Sequence, residues 1–213
     1  MLFNELIYSD IISVSYDKMF EINRVSVKYP FKPRAGQYIS IIFPKELEIP
    51  LTVGDYDEEN KVLTLFIESQ KLITMIQGKK KLLIKGPLGK PINFGKTGNV
   101  LGIIRNKKNY LDLRYALKVL SESGSKVNIY CLEKCDVGEF ETVKNVNDSK
   151  EYDLILASVP ESDVKTLPLN ALVYVRWVKM NCNLGVCGEC NYNGILPCIE
   201  GPFVEVRELV DQR

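Results

Sequence analysis

The 213-residue chain balances 28 Lys and Arg against 27 Asp and Glu, a net charge of +1, and contains no His. At 46% hydrophobic and 26% charged it has the make-up of a globular protein that can bury a core, and its length suits two domains with an appendage. The missing imidazole excludes hydrolytic triads built on His and leaves sulfur as the main ligand for a metal, while no apolar run reaches the ~18 residues of a membrane span.

The opening stretch MLFNELIYSD carries acidic residues and no basic segment, unlike a signal peptide, so a cytoplasmic protein is expected. Short strands follow at 11–16, 19–29, 36–43, 49–56, 61–68 and 80–85, with a polar turn at 57–60 and one helix at 71–77. Gly86-Pro87-Leu88-Gly89 stops the series. Evenly spaced short strands predict a small β-barrel over residues 1–95.

The texture changes after Gly95. A compact apolar strand at 99–104 precedes Leu113, Ala116, Leu117 and Leu120, whose i, i+3, i+4, i+7 spacing predicts an amphipathic helix ending near Gly124. Strands at 127–132, 152–157 and 171–177 complete an α/β region over 96–178 that has the pattern of half a nucleotide-binding fold. Between Ser69 and Leu111 stand ten basic residues and no acidic one, a run read as a solvated face and not as a nucleic-acid surface.

Residues 179–213 lack long periodic stretches and hold four of the six cysteines within seventeen positions. Cys182, Cys187, Cys190 and Cys198 give C-x4-C-x2-C-x7-C, whose first three members have the plant-type ferredoxin spacing for a [2Fe-2S] cluster. A loop around so small an anionic centre must aim its thiolates inward and its N–H groups at sulfur. Asn183, Gly185 and Gly188 are residue types that adopt the positive φ such a turn requires. A structural zinc site and unligated thiols are the alternatives; four-cysteine zinc sites more usually pair two C-x2-C knuckles, and here there is one. Cys131 and Cys135 read as buried or incidental thiols and no disulfide framework is expected. Trp177 reads as an ordinary core or interface aromatic near the first ligand.

The stretch WVKMNCNLGVCGECNYNGILPCIEGPFVEV, with the barrel and α/β segments before it, resembles the electron-transfer subunit of the class 1B dihydroorotate dehydrogenases. Gly36-Gln37-Tyr38, Gly86-Pro87-Leu88-Gly89, Met180 and Gly201-Pro202-Phe203 support it. The resemblance implies a ferredoxin-reductase-like architecture: an FAD-type barrel, an NAD-type α/β domain and a C-terminal [2Fe-2S] loop. It also implies a hetero-oligomer, such as a heterotetramer, with an FMN-containing dihydroorotate dehydrogenase catalytic subunit that feeds electrons into the cluster in pyrimidine biosynthesis.

Three stretches depart from the family. Its FAD motif opens with arginine, whereas here Ile49 precedes Pro50, Leu51 and Thr52, the candidate flavin contacts; Leu72-Ile73 stand where a Gly-Thr pair opens a helix. Flavin binding is therefore expected to be weakened. The glycine-rich turn after the 99–104 strand is replaced by Arg105-Asn106-Lys107-Lys108-Asn109-Tyr110, which obstructs close approach of a dinucleotide, so NAD is not expected to bind directly. The remaining readings are an iron-sulfur subunit of another redox complex and a zinc-stapled binding module.

Overall fold

The structure, a computed structural model, describes residues 5–95, 97–133, 135–146 and 151–210. Residues 1–4 of the opening stretch and Lys96 of the basic run lie outside them.

The first unit is a seven-stranded antiparallel sheet. Its strands are β1 (Glu5–Asp17), β2 (Ile22–Lys28), β3 (Tyr38–Phe43), β4 (Leu47–Thr52), β5 (Asp55–Asp57), β6 (Val62–Ile67) and β7 (Lys81–Leu88), in the spatial order β4-β3-β7-β1-β2-β6-β5. Two turns set its register. The Asp17 carboxylate accepts from the Met19 and Phe20 amides, and Asp57 accepts from the Asn60 amide, each ahead of a residue at positive φ, Glu21 and Lys61. β1 pairs with β7 through Asp10 and with β2 from Ile11, with a register shift between Ile11 and Ser13. Such an irregularity bends a strand and deepens its twist. The sheet accordingly curls around one core in which Val25, Val27, Ile39, Ile41, Leu63, Leu65 and Ile84 meet Leu72, Ile73 and Ile76 of helix α1 (Gln70–Ile76). Edge strands β4 and β5 are joined by Val53-Gly54, and among the described residues no ladder pairs one with the other.

The second unit is a six-stranded sheet in the order β10-β9-β8-β11-β12-β13, built from β8 (Asn99–Ile104), β9 (Lys126–Cys131), β10 (Glu141–Val143), β11 (Leu154–Ser158), β12 (Leu172–Tyr174) and β13 (Phe203–Glu205). All pairs are parallel except β12 with β13. Helix α2 (Lys107–Glu122) lays the expected stripe, Leu113, Ala116, Leu117 and Leu120, into the core. Its close seat explains Gly102 on β8, where a Cβ would stand 2.7 Å from Ile129 Cδ1 and 3.1 Å from Leu117 Cδ1. Short helices α3 (Pro197–Glu200) and α4 (Val206–Val210) flank β13, so the C-terminal segment supplies a strand of this sheet. None of the described helices is long and apolar enough to cross a membrane.

One expectation is corrected. Cys131 and Cys135 are joined in a disulfide, with Cα atoms 6.0 Å apart, and are not separate thiols. The turn after β9 brings the chain back within bridging reach four residues on, a return that residue pattern alone did not reveal. The basic run is largely solvated, as expected: of its nine described members only Lys85 is buried.

The two sheets are locked through α2. Arg114 donates to the Gly54 carbonyl at 2.8 Å, to Asp55 at 3.2 Å and to Glu139 at 2.6 Å, while Lys118 reaches Asp55 at 2.8 Å. Burial pushes the Asp55 carboxyl up, but the Lys118 hydrogen bond and the Arg114 and Lys118 charges outweigh it and hold the group below its ordinary value. An acid whose folded pKa lies below its unfolded ~3.9 adds stability that is present above ~3.9 and lost as pH falls through the folded value. Asp55→Asn is therefore expected to cost about 2 kcal/mol at pH 7, the scale of a hydrogen-bonded charge contact. That deficit should shrink as pH falls from ~3.9 through the folded value, which urea unfolding at pH 7 and in acid would show.

Candidate functional site

The four cysteines of the C-terminal cluster lie in and beside one loop between β12 and β13. Asn183, Gly185 and Gly188 all take positive φ, at 54°, 73° and 73°, as the residue types predicted. At Gly185 side-chain space is also short, since a Cβ would sit 2.6 Å from Ile199 Cδ1. These turns aim amides at sulfur. Burial pushes the Cys182 thiol up, but the backbone N–H groups of Leu184, Cys187 and Val186 and the Cys187 thiol outweigh it and bring it down to about 6. Cys198 is buried and pushed up to about 12, by desolvation and then by Cys190, against a lowering contact from the Gly185 N–H.

Cys190 and Cys198, each 1% exposed, have their Sγ atoms 3.2 Å apart, while Cys182 is half-buried and Cys187 exposed. Among the described residues no three or more Cys, Asp or Glu side chains gather about a single metal position. Four thiols in one loop, two of them in contact and one facing backbone amides, are a donor set of the type a [2Fe-2S] centre uses.

Beneath the loop is a polar seat that sequence reasoning missed. Lys85 of β7 donates to the Cys182 carbonyl at 2.8 Å and to Glu48 of β4 at 2.9 Å. The Asn183 amide donates to Glu48 at 2.6 Å, and the Tyr38 hydroxyl lies 2.9 Å from Asn183 Oδ1 and 3.0 Å from the Cys198 carbonyl. Tyr38, Leu88, Met180, Cys190 and Cys198 form a small core of their own. Tyr38, Leu88 and Met180 carried a signal through the resemblance and Asn183 through its turn, whereas Lys85 and Glu48 carried none for this site. Trp177 packs edge-on against Tyr192 in the α/β core, at a centroid distance of 6.2 Å, the place of an ordinary core aromatic.

Pro50, Leu51 and Thr52 line a cavity of about 230 Å³ in the cleft between the sheets, opposite Ser69, Leu72, Lys108, Asp112, Tyr174 and Arg176. Thr52 donates to the Tyr174 hydroxyl at 3.3 Å. Arg176 is held 3.3 Å from Asp112 and 3.6 Å from Glu68, and Lys108 also faces Glu68 at 4.0 Å. Burial raises the Asp112 carboxyl, partly offset by Arg176 and Ser158. The cations here are thus matched by acids. At the C-terminal end of β8, Asn106 caps α2 by accepting from the Lys108 and Asn109 amides, and Arg105 spans Glu133 and Asp163 at 2.7 Å each. The helix N-terminus that would face a pyrophosphate is occupied by the chain's own side chain.

No protein-family model matches this chain, and no curated protein does. Solved structures do. The chain is similar to an NADH-dependent reduced ferredoxin-NADP oxidoreductase studied for flavin-based electron bifurcation, with a TM-score of 0.72 and 20% identity over 96% of this chain and 91% of that one. The Amycolatopsis cytochrome P450 reductase GcoB aligns with a TM-score of 0.55 and 13% identity over 78% of this chain and 65% of its own. Phthalate dioxygenase reductase, a modular protein for electron transfer from pyridine nucleotides to [2Fe-2S], aligns with a TM-score of 0.53 and 9% identity over 76% of this chain and 62% of its own. At such identities the likeness is one of architecture: the curled antiparallel sheet and the α/β sheet together are a ferredoxin-reductase-like fold.

Proposed function

We propose that this chain is the electron-transfer subunit of a dihydroorotate dehydrogenase, holding a [2Fe-2S] cluster on Cys182, Cys187, Cys190 and Cys198. Its partner is an FMN-containing catalytic subunit in a hetero-oligomer of pyrimidine biosynthesis. The observation that carries the reading is four thiols in one loop, with Cys190 and Cys198 3.2 Å apart and backbone amides facing Cys182, set on a ferredoxin-reductase-like fold. When bound, a [2Fe-2S] cluster supplies one-electron transfer, which lets a reduced two-electron flavin be drained in single steps.

The chain's own residues do the rest. The Leu184, Val186 and Cys187 amides stabilise thiolate at Cys182, and the buried Cys190 and Cys198 keep water from the inner side of the site. The outer side is open. Cys187 is exposed and is flanked by Leu184, Val186 and Ile199 at 46%, 79% and 44% exposure, an apolar rim on which a partner can seat closely. The dihydroorotate assignment itself rests on the sequence resemblance. A redox subunit of another complex shares the geometry and differs only in what copurifies.

Among the described residues the cleft offers a flavin diphosphate no unpaired arginine. A diphosphate placed there would meet Glu68 and Asp112, with Arg176 already bound to both. Loss of one charge-assisted arginine contact, ~1.5–3 kcal/mol, corresponds to a roughly 10- to 150-fold weaker site. Purification under argon with the native partner, followed by iron, sulfide and flavin analysis, tests the whole reading. Two irons and two sulfides per chain are expected, as are FAD well below one per chain and no saturable NADH uptake at micromolar concentrations. A colourless protein with one zinc per chain would overturn it in favour of the stapled binding module.

A further inference from the structure

The polar seat beneath the cysteine loop is built at a cost that packing does not require. Lys85 is 8% exposed, Asn183 1% and Tyr38 0%, and each takes its charge or polar group out of water. Apolar residues of similar volume would fill the space with equal or greater stability. Within the seat, though, the donors and acceptors are matched. The Lys85 ammonium spends its protons on both Glu48 oxygens and on the Cys182 carbonyl. Glu48 also receives the Asn183 amide, whose second proton goes to the Asn181 carbonyl. The Tyr38 hydroxyl shares its proton between Asn183 and the Cys198 carbonyl. Both ends of the ligand set, Cys182 and Cys198, are therefore gripped through their carbonyls by residues of the antiparallel sheet.

We propose that Lys85, Glu48, Asn183 and Tyr38 are positioning residues that preset the cysteine loop, and that the Lys85–Glu48 pair sets the charge beside the cluster and with it the reduction potential. This rests on the cluster reading given above. Reduction adds negative charge to the loop. The Lys85 ammonium, one hydrogen bond from the backbone of the first ligand, favours the reduced form, and the Glu48 carboxylate opposes it. Because the pair sits in a poorly hydrated place, neither charge is screened as it would be at the surface. The two influences are balanced only while both partners are present.

The test is a redox titration of the intact complex followed by EPR, on Lys85→Met, Glu48→Gln, the double variant and Tyr38→Phe. Lys85→Met leaves Glu48 uncompensated and is expected to make the potential more negative. Glu48→Gln keeps an acceptor for Lys85 and leaves its charge unopposed, so the potential becomes more positive. The double variant returns towards the parent, as the sum of two opposite shifts. Tyr38→Phe loosens the grip without altering charge and moves the potential less than either. Glu48→Gln is nearly isosteric, so its sign still decides the matter if Lys85→Met does not fold. Charge variants that shift the potential in the same direction, or no further than Tyr38→Phe, would show a merely structural seat and overturn the proposal. Parent protein without iron and sulfide would instead overturn the cluster reading, and loss of thermal stability in the variants would then report the loop-holding role by itself.

Discussion

Cys190→Ala is expected to abolish the visible absorption of the protein and reduce its iron and sulfide to background. Cys190 is 1% exposed and its sulfur lies 3.2 Å from that of Cys198, so no water or neighbouring side chain can readily take the vacated ligand position. Of its near neighbours, Tyr38 is a phenol whose burial holds it far above the usual range, and so offers no anionic oxygen. Cys131→Ser is the matching control. Its disulfide lies on β9, separated from β13 by β8, β11 and β12, and its removal should leave iron and sulfide unchanged. Equal loss of iron in both variants would mean that the first result reflected general unfolding and not ligand removal. Iron that persists in Cys190→Ala would take this residue out of the ligand set.

Gly89→Ala should be the most damaging single methyl group outside the cysteine loop. Gly89 has φ +76°, and a Cβ there would stand 2.6 Å from the Gly201 carbonyl oxygen, 2.9 Å from Tyr38 Cε1 and 3.0 Å from Pro202 Cδ. The first of these is backbone, held in place because the Lys90 amide donates to that same carbonyl at 2.6 Å. Neither side can swing away as a flexible side chain would. Left-handed strain and the clash together should cost about 3 kcal/mol or more, which for a chain of this size lowers Tm by roughly 6–12 °C. The same displacement lifts the segment that bears Cys198 from its seat against Tyr38, so cluster content should fall with stability. Gly78→Ala, also at positive φ but with nothing within 4 Å of its Cβ, isolates the steric part and should cost only the backbone strain. Similar losses at the two glycines would refute the close-approach argument.

Much of this molecule is legible before any coordinates are seen. The 99–104 strand matches β8, and the Leu113 to Leu120 stripe is the buried face of α2, because both signals are local: a run of apolar residues and a 3.6-residue period. The helix at 71–77 corresponds to α1 for the same reason. Stretches with long-range partners read less well. β1 starts at Glu5, earlier than its alternating pattern suggests, because its first half pairs with β7 some seventy-five residues away. β7 runs on through the Gly86-Pro87 stop to Leu88, where Tyr38 pairs with it. The short β10 and β13 carry too few residues to show a period at all.

What the sequence by itself determined is the clustering of four cysteines near the C-terminus and the conformation of their loop. Spacing within seventeen residues and the positive φ of Asn183, Gly185 and Gly188 are properties of adjacent residues, independent of distant contacts. Only the tertiary structure decided what stands under that loop. Lys85 reads from sequence as one lysine in a basic run, and Glu48 bears no signal at all, yet folding brings them to Cys182 from 97 residues and to Asn183 from 135 residues away along the chain. The pairing of Arg176 with Glu68 and Asp112 across the cleft was hidden in the same way. A charge acquires its energetic meaning from its burial and its partner, and both are set by strands that meet only when the sheet curls.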